Sequence, residues 1–577
     1  MTASTITKSP EVTEIVEGES TRRSRWLPRV LPIASILGGT AVIGWQASRY
    51  GSWIVDDAGI TFAYSRSVAE GLGPVLQAGA PPVEGFSDPT WMVLLALGRI
   101  VGLFERGTIF GIPDYVLFPK ALALVFCGGI LTWCYFAAKR VTRRPWLATL
   151  VIGIVLSAIP SFVIWCFSGL ENSLLGFTVV GLAVTVFLAV LDDRLLSRKV
   201  AIAAGAIAAF AALTRPEGVI YAGAYPLVVL IHVRRTTLAH SVRSVLWSVG
   251  AFAVPFGAYL TWRWFEFGRL LSNPAVAKSQ QFPSVQDLGR ASELVTYAGA
   301  LGVLVLVVTV GMALGRPVWW RSGLVALLVP LVLAIIAYAV LMPDWMVQYR
   351  FATPVWVLAS LTGTLATAAL LGHAKVRGRI MVVVGLVVAL APSVTGFATA
   401  ATTFAANPTV PMCLIADRFG RVFNDYADIL GLQHGSLLLP DLGGSSLTSR
   451  LDLVDMAGLV DKKIADITKT GDLVTLRNYV FDDVKPTFIH SWGPWSAGNG
   501  IPSDPRLARD YDTILLYSAE GPPNGDWVRK DAVSNPAQLK ALQTYGQTTA
   551  LDMERLTFGS PLRSCGNTVS PGQVPGS

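Results

Sequence analysis

Residues 91–104 read WMVLLALGRIVGLF, and whether this run crosses a membrane decides the topology of the whole chain. At 14 residues it is short of the ~20 that a spanning helix needs, and it carries Arg99. A helix lying flat at the outer interface suits it better. Around it, apolar runs lie near 31–47, 115–138, 146–165, 172–190, 200–213, 217–233, 241–261, 292–315, 322–342, 351–371 and 379–400. With the N-terminus inside and 91–104 kept out of the membrane, five basic clusters fall in cytoplasmic loops, as the positive-inside rule requires. They are Lys139-Arg140 with Arg143-Arg144, Arg194 with Arg198-Lys199, Arg234-Arg235 with Arg243, Arg316 with Arg321, and Lys375 with Arg377 and Arg379. Counting 91–104 as a crossing would turn all five outward. The sequence therefore predicts about eleven transmembrane helices, the shortest at 200–213, where small residues (AIAAGAIAAFAAL, 201–213) allow close helix packing.

Composition agrees. Of 577 residues, 52% are hydrophobic and only 15% charged, against ~25% charged in ordinary soluble domains. A soluble enzyme, a disordered protein and a disulfide-rich secreted module are excluded. The net charge of +8 is split unevenly: residues 404–577 hold 15 Lys+Arg against 19 Asp+Glu, and residues 1–403 hold 31 against 19. The basic residues sit in short clusters between apolar runs, so no nucleic-acid footprint is present.

Three regions follow. Residues 1–28 are polar, end in a basic cluster and read as a disordered cytoplasmic tail. Residues 29–403 form a membrane domain whose first span is retained, because no small-residue cleavage site follows it. Residues 404–577 have short apolar runs between Gly, Pro, Asn and Asp, the pattern of a small α/β domain outside the membrane. Cys127, Cys134 and Cys166 belong to apolar spans and read as small hydrophobes, whereas an oxidising exterior favours a Cys413–Cys565 disulfide. Asp441 and Asp455 fall at predicted strand ends, either facing the membrane domain or solvated on the surface. Trp492 and Trp495 serve either polysaccharide binding or the core.

With this orientation the unusual residues collect on outer loops. Asp56 and Asp57 follow the first span in VDDAGITFAYSRSVAEGLG (55–73), which leads to VEGFSDPTW (83–91). Adjacent carboxylates at a membrane surface must pair, titrate or bind something. SGLEN (168–172) brings Glu171, and LTRPEGV (213–219) brings Arg215 with Glu217, which either neutralise one another or leave Arg215 for an anionic ligand. WRWFEFGRLLSNPAVAKSQQ (262–281) adds Arg263, Arg269 and Lys278, and MPDWMVQYRF (342–351) adds Asp344 and Arg350. A transporter would hold its ionisable residues nearer the bilayer midplane. Gathered at the outer boundary, they suit an enzyme acting on a lipid-linked substrate.

These strings, with LPDLGGSSLTSRLDLVDMAGLVDKKIA (439–465), resemble in order the loops of integral-membrane glycosyltransferases of the GT-C fold. More narrowly, they resemble the terminal β-(1→2) arabinofuranosyltransferases of actinobacterial cell-wall synthesis. That group usually has an aromatic residue where this chain has Gly59, Gly-Gly-Asp where it has Met342-Pro343-Asp344, and Asn where it has Asp88. The departures leave sugar and acceptor open. The resemblance implies a GT-C catalytic domain in a multi-pass plasma-membrane protein. It implies transfer of a sugar from a polyprenyl-phosphate donor, decaprenyl-phosphoryl-arabinofuranose, to a cell-wall arabinan of arabinogalactan or lipoarabinomannan. Asp56 is expected as the general base of an inverting displacement, with Asp57 orienting it or binding acceptor hydroxyls. Arg215, Lys278 and Arg350 are expected to bind the donor phosphate; Tyr64, Glu84, Trp91 and Asp344 are expected on the acceptor or sugar side. No cofactor is certain. A divalent metal on Asp56 and Asp57 stays open, although no His/Cys ligand spacing supports a dedicated site. A transferase for another sugar or acceptor, a polyprenyl-linked sugar flippase and a non-catalytic scaffold are the competing readings.

Overall fold

The computed structural model describes residues 20–278, 284–316, 320–518 and 523–571. Among them, seven helices are long and apolar enough to cross a membrane: Val30–Tyr50, Asp114–Val141, Asn172–Leu191, Arg235–Phe267, Arg321–Val340, Arg350–Gly372 and Val376–Ala406. Two bent pairs bring the number to nine if each is one span. Pro145–Ala158 and Pro160–Cys166 meet at 84°, and Val285–Ala298 and Ala300–Gly315 meet at 105°. Pro160 opens its second piece, and Gly299, at a positive φ that side chains disfavour, sits at the other break.

The count of eleven is therefore not reached, and the shortfall lies at 200–213 and 217–233. Arg198–Thr214 has 17 residues, about 26 Å of helix against a hydrocarbon core of ~30 Å. Pro216 then starts a 3₁₀ stretch, Pro216–Gly223, which leaves only Ala224–His232 α-helical. The small residues act as expected, because a Cβ on Gly205 would lie 2.1 Å from the Ser248 carbonyl of the neighbouring helix. The first helix begins at Ser20, inside the stretch expected to be a disordered tail. Extending an existing helix adds one hydrogen bond per residue, so the polar residues ahead of the span simply prolong it. Residues 1–19 lie outside the described residues.

The run at 91–104 forms Pro89–Ile100, a helix too short to cross. Trp91, Leu95 and Arg99 face inward, while Val93, Leu97, Ile100 and Val101 are exposed. Arg99 pairs with Glu70 and Glu105, which keeps its charge off the apolar surface. A two-stranded ribbon, β1 (Thr108–Ile109) and β2 (Ile112–Pro113), leads from it into the next span.

The C-terminal region builds a five-stranded sheet in the order β4-β3-β5-β7-β6 from β3 (Ser436–Leu439), β4 (Asp452–Asp455), β5 (Phe488–Ser491), β6 (Tyr511–Ser518) and β7 (Asn524–Arg529). β3 is parallel to β4 and β5, and β7 is antiparallel to β5 and β6. Cys413 and Cys565 form a disulfide across 152 residues, and Cys127, Cys134 and Cys166 are free and buried. The last described segment returns to the membrane domain. Tyr115 Oη donates to the Gly566 carbonyl at 3.0 Å, Ser52 N donates to the Leu562 carbonyl at 2.9 Å, and Arg66 Nη2 donates to the Val569 carbonyl at 2.5 Å.

Candidate functional site

Asp56 and Asp57 open the helix Asp56–Ala69, where the helix dipole favours negative charge. Successive positions on a helix point ~100° apart, and the two carboxylates meet different surroundings. Asp56 is 4% exposed. Its Oδ2 accepts from Gly443 N at 3.0 Å and its Oδ1 from Gly444 N at 2.7 Å. Its backbone N–H donates to the Val410 carbonyl at 3.0 Å. Burial pushes its pKa well above the usual carboxylate range, the Asp441 charge adds to this, and the two N–H donors pull the other way. Both oxygens are committed to the C-terminal domain, which runs against the role expected for Asp56. The Asp57 side chain is 25% exposed, and its Oδ2 lies 3.6 Å from Arg350 Nη1.

Arg350 is held by a rigid turn. Gln348 and Tyr349 both take positive φ angles (68° and 52°), a conformation that non-glycine residues adopt only when surroundings enforce it. The enforcement is visible: Trp165 Nε1 donates to the Gln348 carbonyl at 3.0 Å, Tyr297 Oη donates to Gln348 Oε1 at 2.7 Å, and Asn172 Nδ2 donates to the Arg350 carbonyl at 2.8 Å. Arg350 Nε then meets Asp344 Oδ2 at 2.7 Å.

Lys278 ends the short helix Asn273–Ala277, which is wedged between two regions. Asn273 N donates to the Glu84 carbonyl at 3.0 Å, and Asn273 Nδ2 donates to the Gly458 carbonyl at 2.7 Å. Lys278 is open to solvent yet walled by protein. Its pKa is lowered by desolvation, against the pull of Asp57 and Asp344 and with the push of Arg350 and Arg215. It makes no ion pair among the described residues.

Asp57, Lys278, Arg350 and Asp344 are thus brought together. Arg215 lies within electrostatic reach of Lys278 and Asp344, but its guanidinium is spent on Glu171 and Glu217. Glu171 also meets Asp88, whose carboxyl accepts from Thr61 Oγ1 at 3.0 Å. Burial first, and then the Glu171 charge, pushes the Asp88 pKa well above the usual carboxylate range.

The remaining acceptor candidates lie elsewhere. Tyr64 is fully buried and donates to the Val83 carbonyl at 2.5 Å; Trp91 is fully buried and donates to the Gly169 carbonyl at 2.9 Å. Glu84 is buried against Arg263, with Arg263 Nε 2.7 Å from its Oε2, and accepts from Tyr259. These groups are satisfied internally and fasten the loops that carry them. The structure also corrects the reading of the strand-end acids as solvated. Asp455 is buried and accepts from Ala457 N and Val460 N, both at 2.8 Å, and Asp441 is half-buried, with desolvation first and the Asp57 charge second pushing its pKa up to about 7. The sign of this in the sequence is LPDLGG, a strand running into Pro-Asp and then a Gly-Gly helix start. Trp492 packs against Phe419 with ring centroids 5.9 Å apart, whereas Trp495 is exposed.

A metal does not fit the acidic pair. Among the described residues no three His, Cys, Asp or Glu side chains are grouped to hold one, and Asp56 already receives two N–H donors.

No protein-family model and no curated relative matches the sequence. Solved structures do. ArnT from Cupriavidus metallidurans, solved with undecaprenyl phosphate bound, is 12% identical with a TM-score of 0.53, over 89% of this chain and 100% of its own. The oligosaccharyltransferase AglB from Archaeoglobus fulgidus, in complex with an inhibitory peptide and dolichol-phosphate, is 10% identical with a TM-score of 0.50, over 87% and 74%. The mycobacterial arabinofuranosyltransferase AftD is 13% identical with a TM-score of 0.47, over 89% and 40%. The chain has the GT-C fold, and it is a multi-pass membrane protein.

Proposed function

We propose that this protein moves an arabinofuranosyl residue from decaprenyl-phosphoryl-arabinofuranose to a cell-wall arabinan at the outer face of the plasma membrane. The observation that carries the reading is a solvent-reachable Asp57 beside the ion-pair-free Lys278 on a GT-C scaffold. The choice of sugar rests on the loop motifs. The orientation, with the C-terminal domain outside, rests on the five basic clusters.

In this reading Asp57 is the base, in place of Asp56. The acceptor hydroxyl attacks the anomeric carbon, its proton passes to Asp57, and the carbon–oxygen bond to phosphate breaks with inversion. Negative charge then grows on the leaving phosphate, where Lys278 and Arg350 can stabilise it without reorganising. Asp344, bound to Arg350 Nε, keeps that guanidinium in place. Asp56 anchors the C-terminal domain.

The test is transfer of labelled sugar from decaprenyl-phosphoryl-arabinofuranose to a synthetic arabinan by the purified protein in nanodiscs. Labelled product with inverted anomeric configuration is expected. Transfer from a hexose or ribose donor only would contradict the sugar assignment. Donor movement across liposome bilayers without product would replace the transferase by a flippase.

A further inference from the structure

We propose that Asn273 is a positioning residue for the donor phosphate: through it, the turn at 455–461 of the C-terminal domain sets where Lys278 stands. The inference rests on the transferase reading, in which Lys278 binds that phosphate. It extends the reading by giving the placement of the lysine to the C-terminal domain.

Lys278 cannot place itself. Its side chain is a flexible stem, and the helix that carries it, Asn273–Ala277, has five residues, too few to be stable alone. Lys278 N donates to the Pro274 carbonyl at 3.0 Å, so its backbone follows the helix. The helix in turn follows Asn273, which is 2% exposed. The Asn273 amide is spread over one turn: Nδ2 lies 2.7 Å from the Gly458 carbonyl oxygen, 3.1 Å from that of Leu459 and 3.2 Å from that of Asp461. Its Oδ1 accepts from Arg269 Nη1 at 2.9 Å, and Arg269 Nη2 donates to the Lys462 carbonyl at 3.2 Å and pairs with Asp466. Behind the helix, Val276 and Ala277 pack on Ala465, with Leu459 against them. From the membrane domain, the Glu84 carbonyl accepts from Asn273 N at 3.0 Å.

The turn that receives Asn273 is rigid. Asp455 accepts from Ala457 N and Val460 N, both at 2.8 Å, and Asp461 Oδ1 accepts from Ile464 N at 2.9 Å. Gly458 has a φ of 75°, and a Cβ there would lie 2.7 Å from Ala465 N. An amide has two hydrogens, and three carbonyls converge on this one, so Asn273 goes where the turn goes. A cation that stabilises charge on a leaving phosphate must be in place beforehand. Lys278 makes no ion pair among the described residues, so no partner of its own holds it there. The hydrogen-bonded turn does so through the helix.

The test reads binding of decaprenyl phosphate to the full-length protein in nanodiscs, for wild type, Asn273→Leu, Lys278→Ala and the double variant. Leucine keeps the size of asparagine and removes its amide. Lys278→Ala should weaken binding roughly tenfold or more, the loss of a hydrogen bond to a charged group. Asn273→Leu should lose a large part of the same factor. The double variant should bind like Lys278→Ala alone, because no lysine is left to position. Gly458→Ala moves the turn from the other side; it should weaken binding too, and again not in the Lys278→Ala background. General loosening of the fold would add to the loss in Lys278→Ala, so additive losses overturn the proposal. Unchanged binding in Asn273→Leu overturns it, and so does unchanged binding in Lys278→Ala. Binding needs no turnover: a wild type that shows this coupling but transfers no arabinofuranose counts against the transferase reading alone.

Discussion

Asp88 stands where the loops it resembles carry Asn, and its surroundings suit either side chain. Between Thr61 and Glu171, an Asn would accept from Thr61 and donate to Glu171, the contacts that Asp88 makes there. Asp88→Asn should keep the wild-type rate within about twofold and the melting temperature within a degree or two. Asp88→Ala should cost roughly 1–3 kcal/mol in a denaturation experiment, because Thr61 and Glu171 lose a buried partner. The acidic pair shows what a sequence can and cannot display. Its presence at the end of an apolar run is plain, and so are Lys278, Asp344 and Arg350 in the later loops. Which carboxylate is free is invisible, since the donors that occupy Asp56 come from Gly443 and Gly444, far along the chain. The partners of Tyr64, Glu84 and Trp91 are invisible for the same reason: each sits in a loop motif, but its partner is a carbonyl or cation that only folding brings near.

The contact between Asp56–Ala69 and the short helix Gly443–Thr448 depends on having no side chains in the way. A Cβ on Gly443 would lie 1.8 Å from the Asp56 carbonyl oxygen, and one on Gly444 would lie 2.3 Å from that of Met412. Both obstacles are backbone and cannot rotate aside. Gly443→Ala should therefore lower stability by about 1–3 kcal/mol, the usual cost of overpacking, and reduce transfer by displacing the Asp56-Asp57 turn. Calorimetry alongside the transfer assay checks both. The aromatic residue that related loops carry at position 59 would strike the same backbone, so Gly59 is matched to this chain's own tail. Helix recognition from apolar runs worked where a run was continuous. At 200–213 and 217–233 no single helix reaches spanning length, because the first run forms a helix of 17 residues and the second opens as a 3₁₀ stretch from Pro216. The short helix at 89–100 is legible because its 12-residue length and the Arg in its last turn are both local properties.

The proposed site is drawn from several parts of the chain: Asp57 opens the helix Asp56–Ala69, while Lys278 and Arg350 come from two later loops. The Cys413–Cys565 bond closes the C-terminal domain, and Arg421 Nη1 donates to the Cys565 carbonyl at 2.9 Å beside it. Closing 152 residues is worth about 5 kcal/mol at most in chain entropy. Replacing both cysteines by serine should lower the melting temperature of the C-terminal domain by several degrees and weaken transfer. Unchanged melting would show that the segment is held by its hydrogen bonds to Ser52, Arg66, Tyr115 and Arg421 without the disulfide. The central claim is that a lipid-phosphate sugar is transferred with Asp57 as base and Asp56 as anchor. Its most direct test compares Asp57→Asn and Asp56→Asn with wild type for arabinofuranosyl transfer at saturating donor, with melting curves for all three. The account predicts an Asp57→Asn protein that melts like wild type and loses about three or more powers of ten in kcat. It predicts an Asp56→Asn protein that melts lower but retains measurable turnover. A folded Asp56→Asn protein with no activity, beside an active Asp57→Asn protein, would contradict it.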